Sequence, residues 1–357
     1  VSPPGVLTSN NLFNVGGASF DNASKLILDG AAVFFGNASG LANVSSDIEI
    51  GANGAAFLAN GGAANGIVLS GTLTGNGMLS GLDDSGIHVT FSGNVSGFAG
   101  DMKFSASQMV SFLNSDAEAS VLLGQAVELG GGAQYVVNYA GDAELGASVT
   151  GSSSLRQSGE GTLTLSGNNT SSGTLTIDGG KEVRLGNGTQ DSTWLGSIEG
   201  DGTLVVNNAG ATDLSRVSGV LNLHVTGTGK AVLNHDTPSS YTGSITVSGG
   251  GLDFSSLAYS NTIVVNGGNL HHMENYSGGK NVDVLTSTAS DLGNLAGSNI
   301  KSLNTKAGGS ISGVDGSISL DAATLTLGEA NLYTQGNPMA LPIVKFNNSS
   351  SELNLGA

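Results

Sequence analysis

The sequence predicts an all-β protein: a parallel β-helix (β-solenoid) that forms a single elongated rod over residues 1–357. Three observations predict it. Short strands with alternating apolar residues recur along the chain, their apolar pairs return about every 20 residues, and 58 of the 357 residues are glycine. A repeat of this length buries its apolar side only against its neighbours. We therefore expect stacked turns and a helix content below about a tenth.

The alternation is clearest between residues 159 and 186. Three apolar pairs alternate there with threonines and are predicted to point inwards: Leu163/Leu165, Leu175/Ile177 and Val183/Leu185. Similar pairs follow at Leu204/Val206, Leu221/Leu223, Ile245/Val247, Ile263/Val265 and Val282/Val284. Glycine, asparagine and aspartate separate the strands and supply tight corners. A β-sandwich would show strands about every 8–12 residues without this longer period.

The rest of the chain repeats less regularly. Residues 26–50 and 67–91 carry comparable pairs, whereas 101–129 and 257–306 are less regular and are possible protruding elements. Within the first of these, Ser105 begins either a short helix or, as we favour, an ordinary turn with Met109 and Phe112 pointing inwards. No linker composition stands out, so we expect one elongated unit without a domain boundary.

Charge and composition exclude several functions. The chain has 28 acidic and 11 basic residues and a net charge of −17, which disfavours nucleic acid and anionic lipid as partners. It has no cysteine, which rules out disulfides, thiolate nucleophiles and cysteine-based zinc sites. Its apolar runs are far shorter than the ~20 residues of a membrane-spanning helix, so no transmembrane segment is expected in this chain.

One segment carries a family resemblance. From Gly159 the chain reads Gly-Glu-Gly-Thr-Leu-Thr-Leu-Ser-Gly-Asn-Asn, followed by Gly-Thr-Leu-Thr-Ile-Asp-Gly-Gly and Val-Arg-Leu-Gly, and it resembles the autotransporter-associated β-strand repeat. A weaker copy covers 229–254 and a degenerate one 89–104. The resemblance implies a right-handed parallel β-helix passenger domain of a bacterial autotransporter or similar protein. It also implies an extracellular location at the bacterial cell surface, outside the outer membrane.

Both ends of the chain support expectations about export. Val1-Ser-Pro-Pro lacks a basic and apolar leader, so we expect that any secretion signal has been removed. No strands typical of an outer-membrane barrel follow Leu355. We therefore expect a barrel elsewhere or another export route.

The best acidic candidates for catalysis are Asp83 and Asp84, close to His88. Gly81 and Gly86 flank them, which favours a solvated corner over a catalytic carboxylate pair. The Asp-Ser-Gly at 84–86 resembles part of a serine-protease loop, but no base or oxyanion donors accompany it. We expect no catalytic residues and no enzyme activity, with a polysaccharide-active β-helix enzyme as the second alternative.

Metal and cofactor sites are not expected either. His271 and His272 are neighbours that would diverge on a strand, and His224 and His235 lack further ligands at a suitable spacing. Gly-rich strings such as 130–132 lack the Gly-Lys-Ser/Thr of a phosphate-binding loop. The sequence therefore predicts no metal and no cofactor.

Outward Thr, Ser, Asn and Asp ladders instead favour binding. We expect an adhesin whose partners are host or microbial glycans, matrix or other surface proteins, other cells, or another copy of itself. The candidate binding residues are Tyr259, His271, His272 and Tyr276, which could alternatively cap the rod.

The first alternative to the adhesin is a structural protein that assembles into filaments through its open terminal turns. Pro338, Pro342 and the prolines at 3 and 4 remove backbone donors near both ends and disfavour this assembly. The charge of −17 opposes close lateral packing of like rods unless salt screens it.

Overall fold

The computed structural model describes residues 5–8, 12–14, 25–35, 42–59, 66–81, 86–115, 120–233 and 241–253, and the strands between 263 and 354 whose bounds are given below. Every regular element in this part of the chain is a β-strand, and the strands pair in parallel. Each strand pairs with one that lies about one turn later in the sequence. This confirms the predicted all-β parallel solenoid.

The chain divides into two compact units. Unit 1 is Val1–Val183 with Ser192–Ile198, and unit 2 is Arg184–Asp191 with Glu199–Ala357. Two strands, β23 (Glu182–Leu185) and β24 (Ile198–Gly200), contain residues of both. The short segments around residue 190 alternate between the units, so the division does not follow a linker.

Unit 1 contains three long parallel ladders and a shorter one. Its strands are β1 (Gly5–Thr8), β2 (Leu12–Asn14), β3 (Leu26–Asp29), β4 (Ala31–Phe35), β5 (Ala42–Val44), β6 (Ile48–Ile50), β7 (Ala55–Ala59), β8 (Gly66–Leu69), β9 (Leu73–Gly75), β10 (Leu79–Gly81), β11 (His88–Phe91), β12 (Gly97–Phe98), β13 (Met102–Lys103), β14 (Met109–Asn114), β15 (Ser120–Leu123), β16 (Glu128–Gly130), β17 (Gln134–Tyr139), β18 (Ala143–Leu145), β19 (Ser148–Val149), β20 (Ser154–Gln157), β21 (Leu163–Leu165) and β22 (Leu175–Ile177). The ladders run β1-β3-β6-β9-β12, β2-β4-β7-β10-β13-β16-β19, β5-β8-β11-β14-β17-β20-β22 and β15-β18-β21.

Unit 2 repeats the arrangement. Its strands are β25 (Thr203–Val206), β26 (Thr212–Asp213), β27 (Asn222–Val225), β28 (Lys230–Val232), β29 (Ile245–Val247), β30 (Gly251–Asp253), β31 (Ile263–Val265), β32 (Asn269–His271), β33 (Lys280–Val284), β34 (Ala289–Asp291), β35 (Asn299–Thr305), β36 (Ser310–Ser312), β37 (Ser317–Leu320), β38 (Thr324–Thr326), β39 (Asn331–Leu332), β40 (Ile343–Phe346) and β41 (Glu352–Asn354). The ladders are β25-β27-β29-β31-β33-β35-β37-β40, β26-β28-β30-β32 and β34-β36-β39, and β38 pairs with β35 and β41.

Strand alternation builds the core. Leu163, Leu165, Leu175 and Ile177 are fully buried, whereas the threonines between them are partly exposed. Leu155 pairs with Leu175, 20 residues later, so that inward residues of successive turns stack in columns. The inward pairs predicted for residues 159–186 are confirmed, because a strand buries every second side chain.

Corner glycines permit this close stacking. A Cβ on Gly161 would lie 1.9 Å from the carbonyl oxygen of Gly141, one turn earlier. No side chain fits at that distance, so the corner requires glycine.

The segment with Ser105 is an ordinary turn and not a helix. Residues 106 and 107 form a turn and β14 begins at Met109. Phe112 points inwards as predicted, but the expectation for Met109 is wrong, since it lies outwards and Val110 is buried. Residues three apart share a face of a helix, whereas on a strand residues two apart do so. Strands also run through 257–306, where β31, β33 and β35 join the long ladder of unit 2.

Candidate functional site: an uncharged face of unit 1

Four successive strands of one ladder, β8, β11, β14 and β17, present outward residues without a formal carboxylate, ammonium or guanidinium charge. The outward residues are Gly66, Val68, His88, Thr90, Met109, Ser111, Leu113, Gln134, Val136 and Asn138. We call these ten residues the uncharged face. Such a face is notable in a chain of net charge −17 because charged side chains normally cover solvated sheet surfaces.

Buried residues beneath the face fix its orientation. Between the outward positions of β11 and β14, Phe91 and Phe112 are buried, and their rings stack with centroids 5.7 Å apart and planes 17° apart. Turning either strand over would expose these rings, so the inward set determines the outward one.

Strand register arranges the outward side chains in columns. Ser111 pairs with Thr90 on one side and with Val136 on the other. Neighbouring parallel strands lie about 4.8 Å apart, so a ligand along a column would meet one side chain at each step.

His88 is the face's titratable residue. Its Nε2 lies 2.8 Å from the Ser111 Oγ and 3.4 Å from the Thr90 Oγ1. Partial burial lowers the pKa of His88, because desolvation disfavours the imidazolium. The imidazole is therefore neutral at pH 7, and the face carries no net charge there.

Aliphatic side chains occupy the remaining positions. Leu113 is 40% exposed, and Val68, Met109 and Val136 are partly exposed. Interface cores are depleted in charged residues and enriched in large side chains such as methionine. The composition of the uncharged face is thus typical of a contact surface.

The His88–Ser111 pair also meets the distance requirement for a base and a nucleophile. Unit 2 has a second such pair, with 2.8 Å between the His224 Nε2 and the Ser248 Oγ. Ser111, however, lies on an inner strand of a ladder, where β11 and β17 occupy both neighbouring positions. Backbone N–H groups committed to such a ladder cannot form an oxyanion hole, which nucleophilic catalysis requires. The arrangement favours hydrogen bonding to a partner over catalysis.

Charged residues elsewhere link successive turns. Arg156 contacts Asp178 at 2.9 Å, Lys230 contacts Asp253 at 3.1 Å and Lys103 contacts Glu128 at 3.8 Å, each with a partner 22 to 25 residues away. Two further ion pairs of this kind join Lys25 to Glu49 and Lys181 to Glu160. Within the described residues no three His, Asp or Glu side chains come together to hold a metal ion. No helix of that part is long and apolar enough to span a membrane.

The candidate binding residues from the sequence lie largely outside the described residues. Tyr259, His272 and Tyr276 are not among them, and His271 is described only as the last backbone position of β32. The proposed contact through these four residues stays a prediction. Of the acidic candidates, Asp83 and Asp84 also lie outside the described residues.

The sequence reasoning did not identify the uncharged face. His88 was noted only for its distance in sequence from Asp83 and Asp84. The signal was present, because outward positions of successive turns are uncharged when Val68, Thr90, Ser111 and Val136 are aligned. It was missed because the steps between turns are uneven there, at 22, 21 and 25 residues for these four positions.

Comparison with protein families supports the origin of the fold. A model of the passenger-associated-transport-repeat matches residues 155–181 and 223–254. These are the two better copies of the repeat, and the degenerate copy at 89–104 lies outside both matches. Searches of curated proteins and of solved structures found no match. Its repeats and its parallel solenoid together match this chain to the autotransporter passenger repeat proteins.

Proposed function

We propose that this chain is the passenger domain of an autotransporter or similar exported protein and acts as an adhesin at the bacterial cell surface. The passenger repeats and the parallel solenoid support export. The expected partners are glycans, matrix or other surface proteins, and other cells, and the role is binding without catalysis.

The observation that carries the proposal is the uncharged face. Strands β8, β11, β14 and β17 are held by a buried core and present aliphatic, hydroxyl, amide and imidazole groups together. Rigid, uncharged and partly apolar surfaces bind partners with little loss of conformational entropy and little desolvation of charge.

The test is display of the full chain on an otherwise bare bacterium. We expect the displayed chain to promote attachment to matrix proteins, to glycan arrays or to other cells. Leu113→Glu, which places a charge on the uncharged face, is expected to reduce attachment. The matched control is Met78→Glu, which replaces another exposed aliphatic residue of unit 1 (47% exposed, against 40% for Leu113) outside the face.

Two outcomes would contradict the proposal. One is a displayed, folded chain that attaches to nothing and leaves cells dispersed. The other is an equal reduction of attachment by Leu113→Glu and Met78→Glu, which would mean that added charge and not the face is responsible.

A further inference from the structure

We propose that the partner of the uncharged face is a second copy of this chain, with unit 1 of one molecule against unit 1 of another. This inference rests on the proposed function, because it names the partner of the same face. It concerns lateral contact between sheet faces and involves neither end of the chain.

Charge is the first argument. Two copies of a chain with net charge −17 repel each other wherever acidic surfaces meet within about 8 Å, the Debye length at physiological salt. On the uncharged face, ten outward positions over four strands carry no acidic residue, and His88 is neutral. A second copy can therefore approach this face with less repulsion than an acidic surface would cause.

The boundary of the face supports the same conclusion. The next strand, β20, places Arg156 outwards, and its guanidinium forms an ion pair with Asp178 through Nε and Nη2, with distances of 3.0 and 2.9 Å. This pair neutralises the adjoining charge, so the edge of the face adds no strong like-charge repulsion. The cation is already paired and does not select an acidic ligand.

Chemistry is the second argument, and it distinguishes a protein partner from a saccharide. The face has exposed Leu113 and partly exposed Met109 and Val136, but it has no phenylalanine, tyrosine or tryptophan on which a sugar ring would stack. Gln134 and Asn138 are exposed amides, and each amide has both a donor and an acceptor. Such groups are self-complementary across a two-fold axis, where the same patch of both copies meets.

The experiment is sedimentation equilibrium of the purified full chain at low and moderate salt. We expect a reversible dimer that salt strengthens, because screening weakens the long-range repulsion. Leu113→Glu should raise the dissociation constant about tenfold or more, because it brings like charges together in the contact. Met78→Glu, with the same added charge elsewhere on unit 1, should raise it less than about threefold.

A further pair of variants separates contact from misfolding. Mixing Leu113→Glu with Leu113→Lys in equal amounts should restore dimers, since opposite charges then meet on one face. A misfolded chain would not be rescued. Urea unfolding of each variant checks that the fold is retained.

The proposal is overturned if the wild-type chain is a monomer at every concentration and salt, or if Leu113→Glu and Met78→Glu weaken the dimer equally. Either result leaves adhesion itself open to the display test. A monomer that still attaches bacteria to matrix or glycan refutes only the second copy as partner, whereas loss of all attachment refutes the proposed adhesin.

Discussion

Replacing Tyr135 by phenylalanine tests how a buried polar group stabilises the interior of unit 1. Tyr135 lies in β17 and is fully buried. Its hydroxyl lies 3.0 Å from the Met102 carbonyl oxygen and 2.9 Å from that of Gly130, so its single proton is shared between two strands of a neighbouring ladder. Burial raises the pKa of Tyr135 well above its usual value, which keeps this donor protonated.

The structure sets the expected size of the effect. Without the hydroxyl, Gly130 still accepts a hydrogen bond from the backbone N–H of Phe104 at 3.3 Å, whereas Met102 loses its side-chain donor. One buried acceptor is therefore left with less than its hydrogen-bonding capacity, which typically costs about 1–3 kcal/mol. We expect Tyr135→Phe to lower the free energy of unfolding by about 1.5 kcal/mol.

The assay is urea unfolding followed by circular dichroism, with Tyr139→Phe as the control. Tyr139 lies in the same strand and is 6% exposed, and the structure shows no hydrogen bond from its hydroxyl. The control should change the free energy of unfolding by less than about 0.5 kcal/mol. Equal effects of the two substitutions would refute the role given to the shared hydrogen bond.

Three further predictions follow from single residues. The pKa of His88 is lowered on folding, so the unfolded chain binds a proton first. Stability should fall as the pH drops below about 6.5, and His88→Gln should reduce this loss in urea titrations. Gly161→Ala should destabilise the chain by about 2–3 kcal/mol because its Cβ would meet the Gly141 carbonyl, while Gly124→Ala, with nothing within 4 Å, should be near neutral by thermal melting. Ser111 should not react with a fluorophosphonate probe, and labelling that Ser111→Ala abolishes would contradict the non-catalytic role.

The parts of the fold that rest on local pattern were predictable. The alternation of Leu163 with Leu165 and of Leu175 with Ile177 assigns their faces without further information, because strand geometry has a period of two. Met109 was assigned to the wrong face because the segment had been considered at helical spacing, where it pairs with Phe112.

Properties that depend on register were not predictable in the same way. The uncharged face exists only because Ser111 stacks on Thr90, and that pairing follows from turns of unequal length. The division into two units likewise reflects contacts between distant residues, since no local change of composition accompanies it.

The pairing of Leu155 with Leu175 bears on how such chains change length during evolution. In the ladder β17-β20-β22, Tyr135 pairs with Leu155 and Leu155 with Leu175. Loss of the 20 residues from 155 to 174 would bring Leu175 into the place of Leu155, with every side chain on its original face. Loss of 19 or 21 would exchange the inner and outer sets and expose the core. Genetic insertions and deletions should therefore persist in lineages chiefly when they add or remove a whole turn, which would let the reach of the protein vary while its surface chemistry is inherited.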